Sequence, residues 1–436
     1  MFNLISLIPI ISLIWYFYFL KTNHLNSILS TLIIYSFFMF ATNYEHYGLE
    51  IDIFRYLHRS IGILVAIALI FYVLKNRVNF FKEQSILILT LFFAVLLISY
   101  LGNDLIIKYY FHYVRNFIFI ALIVSYLYFK VDTNLKIEEL FKLILGLTVI
   151  LSLVVIYELG TIGADFSWNV RAKLFYSNPN YLAYALMLGF VFSVFSDYKY
   201  KWLISSLIIF SIFATGSRSV ELAVIFILVS FLFYKNLNKT YLISFFFSIS
   251  ALIYLSFFSS LPFVSEIVKN HHTDRTRLAL VLISLKMIEA SPINGIGYGQ
   301  FRIKFVDYID EDIINLNIQS LNHIYNSHNA SISEEELLSK GYYLNMEMMT
   351  HNDLLTVIAE LGIIGIAFIM YVVYKLYYEL KRLLLYNRKY FYISLSLIIS
   401  SSTFSMFHNN LSSFVFWFIL LIPFIINRNY KKLVET

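Results

Sequence analysis

Apolar runs of membrane-crossing length, separated by short polar loops, recur along this chain from its first residues to about residue 427. The pattern predicts spans at about 2–20, 27–42, 58–74, 85–101, 114–129, 140–158, 179–196, 202–216, 219–234, 241–259, 354–378, 389–407 and 410–427. A bilayer core takes roughly 20 helical residues, so the expectation is an all-α, polytopic transmembrane helix bundle of about 12–13 spans. Runs 27–42 and 202–216 are short and call for a locally thinned bilayer. The first run lacks a basic leader and a small-residue cleavage site. Lys21 follows it as it would follow a retained anchor. One long hydrophilic stretch interrupts the pattern. The chain therefore divides into 1–259 with transmembrane helices 1–10, 260–352 as a large loop, and 353–436 with the last helices and a tail.

Composition agrees with a membrane protein. Only 14% of the 436 residues are charged, against roughly 25% in a soluble domain, and the mean hydropathy is +0.73. Basic residues crowd alternate loops: Lys75, Arg77 and Lys82; Lys130, Lys136 and Lys142; Lys199 and Lys201; Lys235 and Lys239; Lys381, Arg382, Arg388 and Lys389. The positive-inside rule puts these loops and the C-terminus in the cytoplasm, and the 260–352 loop on the periplasmic side. The pI near 9.0 is thus topological and implies no nucleic acid. With no cysteine, disulfides and cysteine metal sites are excluded.

The large loop is basic up to Lys304 and acidic beyond it, through Asp310, Glu311, Asp312 and Glu334 to Glu336. Either one lobe meets an anion, or the loop is simply a solvated charged surface. Asp274 to Ala290 reads as an amphipathic helix whose face is Leu278, Val281, Leu282, Leu285 and Ile288. Ser291-Pro292 ends it. The alternating Gly295, Gly297 and Gly299 then read as an irregular turn, not a dinucleotide fingerprint, because no strand precedes them.

His351 opens the span after the loop. Its imidazole titrates near neutrality at the water–lipid boundary, where it could take a proton from a hydroxyl. Asp353 could orient it or compete for that role. Arg218, Arg277, Arg171 and Arg275 lie at the same outer face, and guanidinium forks match phosphate oxygens. The alternative for each arginine is a snorkelling anchor, which is the better account of Arg115. Arg218 departs from it, standing in a tight outer loop between two buried spans. Glu221 and Glu360 are either paired or water-facing carboxylates. His271-His272 finds no third ligand at suitable spacing, so no metal site and no cofactor is expected.

At these residues the chain resembles the O-antigen ligase and polymerase family of bacterial membrane enzymes. His351-Asn352, nine residues and Gly362-Ile-Ile-Gly365 fit its H-[NSQ]-x9-G-x-x-G pattern. Thr215-Gly-Ser-Arg218 with Leu222, Arg277-Leu278 leading to Gly295–Phe301, and Arg171 followed by Asn178-Pro179-Asn180 are similar to further family elements. The resemblance covers about 165–370. It implies a metal-independent, inverting glycosyltransferase of the bacterial inner membrane, acting at the periplasmic face on an undecaprenyl-diphosphate-linked oligosaccharide. By the resemblance, Arg218 and Arg277 bind the diphosphate, with Arg171 and Arg275 as further candidates, and His351 is the base beside the acceptor. The acceptor is a glycolipid. A polymerase would extend O-antigen or capsular repeat units and work near a chain-length regulator. A ligase would transfer the finished glycan to lipid A-core or to a protein hydroxyl. Arg171 has no glycine eleven residues on, unlike some polymerases, whereas the Asn-Pro-Asn stretch and the acidic loop lean towards polymerase. A transporter of lipid-linked sugars is the third reading, disfavoured by the absence of an internal repeat.

Overall fold

The computed structural model describes residues 83–103, 107–161, 172, 174, 178–236, 271–310, 350–411 and 413–435, with Ile67 and Leu74. Among them all regular structure is helical. In chain order the helices are α1 (Gln84–Leu101), α2 (Ile107–Lys130), α3 (Asn134–Thr161), α4 (Pro179–Val194), α5 (Lys201–Thr215), α6 (Arg218–Tyr234), α7 (His271–Ala290) and the short α8 (Phe301–Lys304). Then follow α9 (Asp353–Tyr386), α10 (Arg388–Ser405) and α11 (Phe414–Glu435). The runs expected at 2–20, 27–42, 58–74 and 241–259 lie outside the described residues.

Among the described residues four helices are long and apolar enough to cross a membrane: α1, Tyr113–Lys130 of α2, Asn134–Gly160 of α3, and α9. Helices α4 and α5 and the Phe414–Tyr430 stretch of α11 are apolar but shorter. Helix α4 sits deepest, with every residue from Leu182 to Val194 buried. Its start is coded locally. Asn178 is extended and its side chain accepts the Asn180 N–H at 2.9 Å, while Pro179 takes the first helical position, where no N–H is needed. Helix α10 lines its inner face with Ser394, Ser396, Ser400, Ser401 and Thr403, small residues that let the α6 and α9 backbones come close.

Helix α9 departs most from expectation. Its 34 residues run to Tyr386, past the predicted end at 378, and at about 1.5 Å per residue they measure about 51 Å, more than a bilayer core of about 30 Å. It is also broken. Gly362 has φ +59° and ψ −149°, a conformation closed to other residues. The break leaves the Ala359 and Glu360 carbonyls free to accept the N–H groups of Ile296 and Gly297 at 2.9 and 3.0 Å, while Ile363 N–H donates to Pro292 O at 2.9 Å. The glycine turn thus docks backbone to backbone into the span. A Cβ on Gly362 would meet Ile293 O at 2.3 Å.

Tyr298 completes that anchor. It is buried, its N–H donates to Ser99 Oγ at 2.9 Å, and its ring packs edge-on to Phe92. Phe92 in turn packs on Phe117, Phe368 and Trp417 at ring separations of 4.8–5.1 Å. The turn is therefore continuous with the aromatic core of α1, α2, α9 and α11.

The loop helix α7 begins three residues before the expected Asp274 and presents a rotated face, on which only Leu282 and Ile288 of the expected residues pack against the buried cluster. Ala279, Leu280, Ile283 and Met287 are buried against Ile296, Phe301, Phe305 and Ala359, whereas Leu278 and Leu285 are about half exposed (48% and 50%). Apolar residues occur on more than one side of α7, and the docked glycine turn selects the side carrying the small Ala279. Lys286 of α7 pairs with Asp310, so the basic and acidic halves of the loop meet. Glu311, Asp312 and the acidic stretch through Glu336 lie outside the described residues.

Candidate functional site

The site is built at the N-terminus of α9. Asn352 caps that helix, its Oδ1 accepting the Leu355 N–H at 3.0 Å. His351 just before it is held at φ +51°, a left-handed conformation uncommon for a residue with a side chain. The turn between α10 and α11 keeps it there. His351 N–H donates to Asn409 Oδ1 at 2.8 Å, and Asn409 Nδ2 donates to the hydroxyls of Thr350 and Thr356 at 3.0 and 2.7 Å. Asn352 Nδ2 donates to Met406 O at 3.1 Å. Asp353 is buried, and its carboxylate accepts the backbone N–H groups of Asn410 and Leu411 at 2.8–3.1 Å. It organises the turn rather than the imidazole.

His408 lies between His351 and α6. Its ring is edge-on to that of His351 with centroids 6.4 Å apart, and its Nε2 shares a 3.0 Å hydrogen bond with Ser219 Oγ. Ser219 is adjacent to Arg218, which starts α6 and is exposed. Arg277 reaches the same neighbourhood from α7. Crowding by surrounding protein, and then the Arg277 charge, hold the His351 imidazole below its ordinary value of 6.5. His351 keeps surface access despite that crowding. Neutral imidazole is the form that accepts a proton.

The structure therefore brings His351, Arg277 and the α6 turn bearing Arg218 to one end of the bundle. Arg275 is on the first turns of α7, and Arg171 lies outside the described residues. Arg218 and Arg277 form no hydrogen bond or ion pair with another described residue. Arg115 is on an exposed position of α2. Glu360 is buried and accepts the N–H groups of Gly299 and Phe301 at 2.9 Å each, which makes it the clamp of the glycine turn. A small cavity of about 40 Å³, room for a few waters at most, separates Glu360 and Arg302 from Thr350, Asp353 and Thr356. Among the described residues no three His, Cys, Asp or Glu side chains are grouped to hold a metal ion.

Residues 203–370 match the family model described as O-Antigen ligase. The match covers well under half of the chain and supports membership of the O-antigen ligase/polymerase family. The matched segment holds Arg218, Arg275, Arg277, His351 and Gly362, and it leaves out Arg171 and the His408–Asn410 turn. The match supports an O-antigen ligase- or polymerase-type activity in general, and the apolar helices agree with a membrane protein. Comparison with curated proteins gives no match.

His408, Asn409 and Asn410 are the site residues that sequence reasoning missed. Three strongly polar residues in a row between two apolar runs were the available signal. In a short connector between spans they looked like ordinary loop polarity.

Proposed function

We propose that the chain polymerises O-antigen or capsular repeat units at the periplasmic face, using an undecaprenyl-diphosphate-linked glycan as donor. His351 takes the proton of the acceptor hydroxyl. The hydroxyl oxygen attacks the anomeric carbon, the bond from that carbon to the diphosphate oxygen breaks, and undecaprenyl diphosphate leaves with the electron pair. One displacement inverts the anomeric centre. Arg218 and Arg277 hold the diphosphate and stabilise the charge it gains on leaving. No metal is required, because the two guanidinium groups supply the positive charge.

The observation that carries this reading is a surface-accessible imidazole, held towards its neutral form beside Arg277 of α7 and linked through His408 and Ser219 to the turn that bears Arg218. An apolar groove of about 330 Å³ supports it. Among the described residues the groove runs from Asp353 and Met406 along Val357 and Val372 to Leu376, starting two residues from His351 in the chain. Such walls suit a lipid tail whose head lies at the imidazole.

The ligase reading is favoured by the printed description of the family match. One experiment separates the two. The gene is deleted in its host, the surface glycan is resolved by size, and wild type or His351→Ala is supplied in trans. A deletion that leaves single capped repeats supports polymerisation. Full-length polymer accumulating on the lipid carrier identifies a ligase. A normal pattern with His351→Ala overturns the proposed chemistry and moves a transporter forward.

A further inference from the structure

The glycosyl transfer proposed above needs an acceptor base and a diphosphate clamp at fixed separation, yet the residues in those roles sit on α9 and α6. Those helices are remote in sequence. His408 is the side chain that spans between them. It is buried, at 8% exposure, so it is not a ligand displayed to solvent. One side of its ring lies on Phe404 at 4.5 Å, and Phe404 is stacked on Tyr184 at 4.3 Å with the planes 10° apart. Tyr184 belongs to the fully buried α4, and its hydroxyl is tied to Ser401 at 2.5 Å. The imidazole is thus fixed to the rigid centre of the bundle by a column of three rings.

From that fixed position it bonds Ser219 Oγ at 3.0 Å, and Ser219 faces Ser217 Oγ at 3.4 Å across the residue that matters, Arg218. The next residue in the turn, Asn409, bonds the His351 backbone at 2.8 Å. Adjacent residues of one turn therefore hold both halves of the site.

We propose that His408 is the positioning residue that keeps the α6 turn carrying Arg218 in register with the His351 imidazole. It touches neither donor nor acceptor in this assignment. It acts through Ser219 on one side and through the ring contact with His351 on the other. Its turn lies outside the segment matched to the family, whereas Ser219 and His351 lie inside it.

The test uses the full-length protein in membranes with a polyprenyl-diphosphate-linked donor, measuring kcat and KM for His408→Ala, His408→Gln, Ser219→Ala and the Ala/Ala double variant. A misplacement of the order of 1 Å costs up to about 100-fold, so we expect His408→Ala to lower kcat/KM by roughly 10- to 100-fold, mostly through the donor KM. Glutamine places an amide near the Nε2 position and should restore most of that loss. The double variant should be no worse than either single one, because both remove the same bond. Wild-type kinetics for His408→Ala overturn the proposal. So do additive losses, or a glutamine variant as poor as alanine. The glutamine comparison decides the matter if alanine fails to fold. His351→Ala and Arg218→Ala run in parallel. If both retain full activity, the glycosyl-transfer reading falls and takes this inference with it. If both are inactive while His408→Ala is normal, only the inference falls.

Discussion

The two ends of the bundle handle charge in opposite ways. At the end bearing Lys130, Arg382, Arg388 and Arg428, cations are used up internally. Arg428 donates to Tyr128 O at 2.7 Å and lies 4.7 Å from the Tyr128 ring centroid, and Tyr128 hydrogen-bonds Glu83. Buried Glu379 accepts from Arg382 at 3.0 Å and from Asn427 at 2.6 Å. At the end bearing His351, the buried acids take backbone instead. Asp353 holds the 410–411 turn, and Glu360 holds the glycine turn. Acids that bind main chain neutralise no arginine, and among the described residues Arg218 and Arg277 form no ion pair, as the proposed diphosphate contact requires. At one end Arg382, Arg388 and Arg428 bond within the protein. The other is irregular backbone held by carboxylates.

The comparison breaks most visibly at the imidazole. General base catalysis contributes about 10²- to 10⁴-fold, so His351→Ala should lower the rate of glycan transfer by that order while leaving membrane insertion intact. Glycan length on a gel, beside the amount of protein in the membrane, checks both halves. An inactive variant that is also absent from the membrane would make His351 an anchor like the residues of the opposite end.

Gly362→Ala should come next and act on the scaffold. The new Cβ would have to occupy a position 2.3 Å from Ile293 O in a backbone conformation closed to alanine. Such strain costs on the order of 1–3 kcal/mol, before the overlap with the docked turn is counted. The glycine turn should detach, exposing Ile296 and Gly297 N–H groups and the buried Tyr298. Proteolysis within 291–300 should appear in this variant and not in wild type. Resistance equal to wild type would mean that the helix break is incidental.

Arg277→Gln sharpens the comparison by removing one of the free cations. Its charge helps hold the His351 imidazole below 6.5, although crowding of the ring is the larger cause. Activity requires the neutral form and is therefore lost as pH falls through the His351 value. In wild type that loss lies below pH 6.5. Without the positive neighbour the imidazolium is easier to form, so the acid limb of the residual activity should move up, by less than a full return to 6.5. An unmoved limb would separate Arg277 from His351.

Much of this was legible in the residues. Runs of apolar length lie under α1–α6 and α9–α11, Ser291-Pro292 ends α7, and His351-Asn352 marks the start of α9. What was not legible depended on which neighbours arrive. Helical periodicity continues smoothly through Gly362, so the break shows only once the Pro292–Gly297 backbone is docked there. The buried side of α7 is chosen by Ala359, which is distant in sequence. Asp353 seemed free to serve His351 because nothing local shows that the Asn410 and Leu411 amides claim it.

The smallest effect should come from the anchoring end, at the pair of Lys389 and Asp197. Asp197 is 83% exposed, and exposed ion pairs contribute about 0–1 kcal/mol. The hydrogen bond from Lys389 holds the Asp197 carboxyl below its ordinary 3.8, against a smaller opposing effect of burial. A carboxyl depressed in the folded state adds stability that is present above its unfolded value and lost as pH falls through its folded one. Asp197→Asn should thus cost under about 1 kcal/mol at neutral pH, nothing well below pH 3.8, and no glycan-transfer activity at neutral pH. Thermal unfolding in detergent at two pH values, with activity measured in membranes, reads all three. A loss of activity at constant stability would show that the two ends are coupled through α4 and α10, and that the basic end is more than an anchor.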